Sequence, residues 1–162
     1  DRSIILQMDQ AAEPVYILDN MPFFDHDHIQ GTDASGNLYI TPKIDILKSR
    51  DDSYRIAVKR SSRGPSLRKA ARLAEDISYH WTMKDSTLTL HSHFRMDEDI
   101  PYRFQEVLVR IYLPEGKRIA IPEEAEGYLD HANNEENLWH HEMGNKIWEM
   151  GDEELILYKK MN

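Results

Sequence analysis

The chain has 162 residues, 40% hydrophobic and 30% charged, with a formal net charge of -9 and no cysteine. That composition fits one globular domain with a real core and excludes wholesale disorder, disulfides, thiolate metal sites and a cysteine nucleophile. The charge argues against nucleic-acid binding, which needs a basic field.

Ile4-Ile5-Leu6 and Val15-Tyr16-Ile17-Leu18 read as short strands, with Pro14 placing the second at an edge or a strand start. A long polar loop follows from Asn20 to about Gly36. It holds Asp25-His26-Asp27-His28, and Phe23-Phe24 is expected to pin part of it to the body. Residues 1–37 are thus expected to form a peripheral part of the domain, and residues 38–162 its β-rich core. Leu38-Tyr39-Ile40 leads into Ile44–Lys48, and after a polar turn Tyr54, Ile56 and Val58 alternate with more polar neighbours. This pattern predicts a hairpin between residues 44–48 and 54–59.

One amphipathic helix is predicted at about residues 66–77. Leu67, Ala70, Ala71 and Ala74 follow the i, i+3, i+4, i+7 rule, and Leu73 and Ile77 extend that face. Ser66 is a good N-cap, and Pro65 stops the helix from growing backwards. Strand patterns then resume. Tyr79, Trp81 and Met83 alternate, which places Trp81 in the core. Leu88 and Leu90 run towards Phe94, and Val107–Leu113 is the strongest strand. Pro114-Glu115-Gly116-Lys117 has turn chemistry. Ile119–Ile121, Leu138-Trp139, Lys146–Met150 and Leu155–Tyr158 are further strands. Short strands at this spacing predict a mainly β fold, a β-solenoid or sandwich-like sheet with one helix.

No run of 18 or so apolar residues marks a membrane-spanning helix. The chain starts at Asp1 without a signal-peptide pattern, as expected of a processed or excised piece. There is no Gly-x-Ser-x-Gly elbow, no Walker A loop and no His-Glu-x-x-His, so a non-enzymatic domain without cofactors is expected. Histidine draws the eye in Asp25–His28, in His91 and His93, and in His140-His141-Glu142. His91 and His93 would share one face of a strand and make a weak alternative metal pair. A metal or enzymatic reading needs these groups to converge; solvated loop histidines are the ordinary alternative.

A basic cluster stands out in this acidic chain. Lys59, Arg60, Arg63, Arg68, Lys69 and Arg72 lie between residues 59 and 72, with no Asp or Glu among them. Arg68, Lys69 and Arg72 sit early in the predicted helix, where positive charge opposes the macrodipole, and Glu75 and Asp76 sit unfavourably at its end. Helix stability does not explain that order. A surface for anionic lipid or an acidic partner would explain it, and so would ion pairing with the domain's own carboxylates. Trp139 and Trp148 are candidates for a glycan platform if they stand exposed side by side.

Ile44–Ser49 with Asp51-Asp52-Ser53, Val58 through Ser66, and the helix with Ala70 and Ala74 form an ordered set of segments. They continue with Ile77-Ser78-Tyr79, Asp85–Leu90, Gln105–Lys117 and Glu142–Met150 with Leu155. In order and spacing this set resembles the C-terminal domain of Bacteroidetes phage-shock-protein-C-like (PspC) membrane proteins, which is related to toast-rack and putative-adhesin β-helical domains. The resemblance covers roughly residues 38–157. It implies an inner-membrane anchor, a soluble domain facing the periplasm or lying against the membrane, and a sensory or interaction role in envelope stress. Implied partners are envelope-stress proteins, a second copy of the chain, or an anionic membrane surface, with no nucleic acid. An adhesin-like or glycan-binding envelope module is the alternative.

Overall fold

The structure is a computed structural model that describes residues 3–9, 29–32, 36–97, 99–100 and 102–162. The predicted strand at 15–18, the Phe23-Phe24 pin and the Asp25–His28 group lie outside the described residues. Among the described residues the chain forms β1 (Ile4–Asp9), β2 (Ile29–Thr32), β3 (Leu38–Ile40), β4 (Lys43–Lys48) and β5 (Arg55–Ser61). Then come α1 (Leu67–Glu75), β6 (Trp81–Lys84), β7 (Thr87–His91), β8 (Phe94–Met96), β9 (Glu106–Leu113) and β10 (Arg118–Ile121). A 3-10 helix (Glu123–Tyr128), β11 (Leu129–His131), β12 (Lys146–Met150) and β13 (Leu155–Lys160) complete the order. The fold is mainly β, with open sheets and one α-helix among the described residues.

Three sheets result, in the orders β13-β12-β10-β1-β7-β6, β11-β4-β9-β5 and β2-β3-β8. Alternation builds them. Val107, Val109, Ile111 and Leu113 of β9 are fully buried, while Leu108, Arg110 and Tyr112 between them point away. Ile4, Leu6 and Met8 of β1 do the same in the six-stranded sheet. The inward rows of the sheets meet in a single apolar cluster. Parallel pairs join strands distant in sequence: β1 lies parallel to both β7 and β10, and β4 parallel to both β9 and β11. The chain thus winds between sheets, giving a sandwich with solenoid-like winding.

Three sequence expectations change. The sequence places residues 1–37 at the periphery, yet β1 is an interior strand, flanked by β10 and β7. Its inward row of Ile, Leu and Met needs cover on both flanks. Next, β4 and β5 form no hairpin. Strand β9 lies between them, with Ile111 opposite both Ile46 and Ile56. This gives each neighbour an apolar partner row, which outweighs the entropy saved by a local turn. Last, Trp81 is not core. It pairs with Leu90 on the inner side of β6, but among the described residues no strand lies beyond this edge to cover it, and it stays 38% exposed.

The helix starts as predicted. Ser66 Oγ accepts the Lys69 N–H at 3.2 Å, and Asp76 closes the other end. Its inner face carries Ala70, Leu73 and Ala74, followed by the buried Ile77, whereas Leu67 and Ala71 stand outside. Arg60 fixes that end by donating from a guanidinium nitrogen to the Ile77 carbonyl at 2.9 Å. Gly64 sits under the other: a Cβ there would lie 2.9 Å from the Ala70 backbone nitrogen. The short Leu138-Trp139 strand is absent; Trp139 instead precedes a 3-10 turn at His140–Glu142.

The three tryptophans therefore differ in kind. Trp148 is wholly buried, its indole N–H donating to the Met143 carbonyl at 3.0 Å, while Trp139 is 73% exposed. Trp148→Ala is expected to cost about 3–5 kcal/mol, and Trp139→Ala less than about 0.5 kcal/mol. Chemical denaturation of the two variants checks this, and equal losses would contradict the assignment.

Candidate interaction surface

The six basic residues of the sequence cluster are placed by three consecutive pieces: β5, the turn after it, and α1. Arg60 is engaged structurally with Ile77, as described above. Lys59, Arg63, Arg68, Lys69 and Arg72 are exposed. Among the described residues none of these five has a carboxylate oxygen within 4.0 Å, so ion pairing with the described carboxylates does not account for them. On α1 the first turn carries no acidic residue, so Arg68 and Lys69 stand against the macrodipole without local compensation, whereas Arg72 lies in the last turn, where it favours the macrodipole, and not early in the helix as expected.

Sequence reasoning missed the aromatic half of this surface. The turn after β5 is tied to the segment before β9: the Arg63 N–H donates to the Arg103 carbonyl at 2.7 Å, and Ser62 Oγ donates to the same carbonyl at 3.2 Å. This brings Phe104 under Arg63, whose guanidinium carbon lies 4.7 Å from the ring centroid. Tyr102 also packs on that ring, with centroids 5.4 Å apart. Phe104 is 44% exposed and has φ 55°, a left-handed conformation that costs a bulky residue about 1–3 kcal/mol. A fold that tolerates this strain holds the ring outward rather than hiding it. Leu67, 92% exposed, stands at the start of α1, one residue before Arg68. An isolated Phe within the polar stretch 95–106 was the available signal for this partner.

Among the described residues the histidine groups do not gather. Strand β7 ends at His91 and β8 starts at Phe94 in another sheet, so His91 and His93 are not alternate residues of one strand. His91 faces Asp9, with Nε2 3.3 Å from Oδ2, and stacks edgewise on His80; His93 packs against Tyr39. His140 and His141 belong to the 3-10 turn after Trp139. Trp139 and Trp148, one exposed and one buried, do not stand side by side as a platform.

Among the described residues one group of metal-type side chains does converge: Asp45, Asp130 and His131, with ligand atoms within 4.8 Å of one another. Asp45 is buried on β4, between β11 and β9. Its Oδ1 accepts the His131 backbone N–H at 3.1 Å, and its Oδ2 lies 3.9 Å from Arg110 Nε across the β4–β9 pair. The buried charge thus already has a backbone donor and a nearby cation. These contacts make Asp45 a clamp across three strands rather than a vacant ligand.

A family described as the toast rack found in some PspC proteins matches residues 32–157. The chain belongs to that family. Neither the search of curated proteins nor that of solved structures found a match. The family match covers β3 through the first half of β13, and so takes in α1 and the whole basic–aromatic surface.

Beside this surface, in the segment that leads from α1 into β6, Tyr79 donates its hydroxyl to the His91 carbonyl at 2.7 Å. Burial pushes its phenol well above the ordinary tyrosine range, and neighbouring Tyr128 adds to the rise. The folded protein therefore keeps a proton that the unfolded chain releases above about pH 10, and stability falls as pH rises past that point. Tyr79→Phe removes this loss. The gap in unfolding free energy between wild type and variant, about 1 kcal/mol near pH 8 from the lost hydrogen bond, is expected to shrink by pH 11. Urea unfolding across that range tests it; a gap independent of pH would refute the assignment.

Proposed function

We propose that this toast-rack domain is a non-enzymatic docking module of a membrane-anchored, PspC-like envelope-stress protein, and that its basic–aromatic surface settles on an anionic membrane. The observation that carries the reading is the pairing of exposed cations, which have no carboxylate partner among the described residues, with exposed apolar side chains. Arg63, Arg68, Lys69 and Arg72 supply attraction to anionic head groups, worth about 1 kcal/mol per residue near such a surface. Phe104 and Leu67 supply apolar groups for the head-group region, where an aromatic ring is favoured. The acidic balance of the whole chain repels the same membrane everywhere else, so the net charge of -9 orients the domain as well as keeping it soluble. A domain on the periplasmic side of an inner-membrane anchor would meet such a surface at once, and sensing would follow from whether this face is occupied by lipid or released.

Vesicle flotation tests the proposal. The domain is expected to float with phosphatidylcholine vesicles that contain phosphatidylglycerol, not with pure phosphatidylcholine, and binding is expected to fall as salt rises. Arg68→Glu with Arg72→Glu should abolish flotation, and Phe104→Ser should weaken it by roughly fivefold to tenfold. No flotation with anionic vesicles, or flotation unaltered by the charge reversals, would overturn the reading. Capture of an acidic protein by the wild type but not the charge-reversed variant, without flotation, would replace the membrane by a protein partner.

A further inference from the structure

The segment between β11 and β12 builds a second surface that the docking reading does not use. Asn134 is its keystone. Almost fully buried, it donates from Nδ2 to the Leu138 carbonyl at 3.0 Å and accepts the Leu138 N–H on Oδ1 at 2.9 Å, closing residues 134–138 into a tight loop. The loop is fastened to β13 by backbone hydrogen bonds from Glu135 N–H to the Leu155 carbonyl and from Leu155 N–H to the Asn133 carbonyl. Asn137 completes the turn at φ 55°. Trp139 is then locked at both backbone ends: its N–H donates to Glu142 Oε2 at 2.9 Å, and its carbonyl accepts the Glu142 N–H at 2.8 Å.

The result is a rigid frame that holds an indole 73% exposed. Nothing in the core needs that ring, and leaving a side chain of this size in water forgoes the stabilisation of burying it. Beside it lies a hollow of about 230 Å³, whose wall joins Trp139 to Asn133, Asn134, Asn137, His140 and Glu154. The hollow is smaller than the pockets that enclose drug-sized ligands. Its wall combines the Trp139 indole with amide, imidazole and carboxylate groups and with the apolar Ala132 and Leu138.

We infer that this hollow is a binding site for a neutral pyranose, one sugar residue of a longer glycan. The chemistry follows from the wall. A pyranose has an apolar face of C–H groups, electropositive at the hydrogens, which matches the electronegative face of the indole. Its hydroxyls ring the edge and need groups that can both donate and accept, which the Asn133 and Asn137 amides and His140 provide. Glu154 accepts from a hydroxyl pair. The surroundings set the charge class: Glu135, Glu136, Glu142, Glu153 and Glu154 crowd this end of the chain, so an acidic sugar would be repelled while a neutral one is not. The rigid loop limits the entropy lost on binding. A single open site of this size fits the weak, multivalent recognition of a polymer such as a cell-wall glycan.

Saturation-transfer NMR on the folded domain decides the matter, with three probes: N-acetylglucosamine oligomers, malto-oligosaccharides and oligogalacturonates. At least one neutral series is expected to show transfer to the C–H face of its ring, and the oligogalacturonates none. Trp139→Ala should weaken binding by roughly tenfold or more, Asn137→Ala should weaken it less, and Trp81→Ala should leave it unchanged. Thermal melts of each variant show whether the fold survives; Asn133→Ala, which keeps the backbone contacts, gives a second reading if Asn137→Ala proves unstable. No transfer from any probe, equal transfer from oligogalacturonates, or full binding by Trp139→Ala would each overturn the inference.

Discussion

Everything in this domain is arranged around β9. Its four inward residues are fully buried, and it is the strand on which β4 and β5 both depend, one parallel and one antiparallel. Burial of four large aliphatic side chains is worth about 1.5–3 kcal/mol each, more in sum than any single polar contact provides. That strand also fixes where the surface features go. Its leading segment carries Phe104 at the turn beside Arg63, and its far end turns through Gly116, at φ 80°, into β10 and the other sheet. Asp45, the buried carboxylate, sits on the strand next to it, 3.9 Å from Arg110 of β9, and is held by the backbone of β11. A buried charge is a weak source of net stability but a strong one of register, because a one-residue slip would leave it without partners.

The helix shows the opposite pattern. Its inner face is built from Ala70, Leu73 and Ala74, with Ile77 just beyond, and the small alanines let it lie close over the β5 edge. Its outer face breaks, at Arg68, Lys69 and Glu75, the rule that cations belong at a helix C-terminus and anions at its start, although Arg72 in the last turn obeys it. Ser66 and the Arg60–Ile77 contact hold the helix at each end and offset that unfavourable order. Where local rules are broken while the fold is otherwise consistent, function is the usual reason. The strained Phe104 is a second break of the same kind within a short reach of the first.

Much of the fold was legible because β-strands here obey period two so plainly: Val107–Leu113, Ile119–Ile121, Lys146–Met150 and Leu155–Tyr158 all lie within strands, and the helix and its cap stand as predicted. Long-range pairing was not legible. Nothing in the local pattern directs β4 to pair with a strand roughly sixty residues later instead of with β5, since both partners offer the same alternation. Burial of aromatic residues failed for a related reason. Trp81 and Trp148 each alternate with apolar neighbours, and what separates them is whether another strand lies beyond: β13 lies outside β12, whereas among the described residues none lies outside β6. The basic cluster was legible as composition. Its apolar companions Phe104 and Leu67 were not, because one comes from a distant segment of the chain and the other reads as a core position.

The two surfaces are carried by different sheets: α1 packs against β5 of the four-stranded sheet, and the Asn134 loop is bonded to β13 at an edge of the six-stranded one. The separation has a consequence for the proposals taken together. A domain resting on a membrane through α1 and Phe104 would hold the Trp139 hollow away from the lipid, facing whatever polymer lies outside. An envelope-stress domain that spans membrane and cell-wall polymer in this way would report on the distance between the two, which is a quantity that damage to the envelope alters directly.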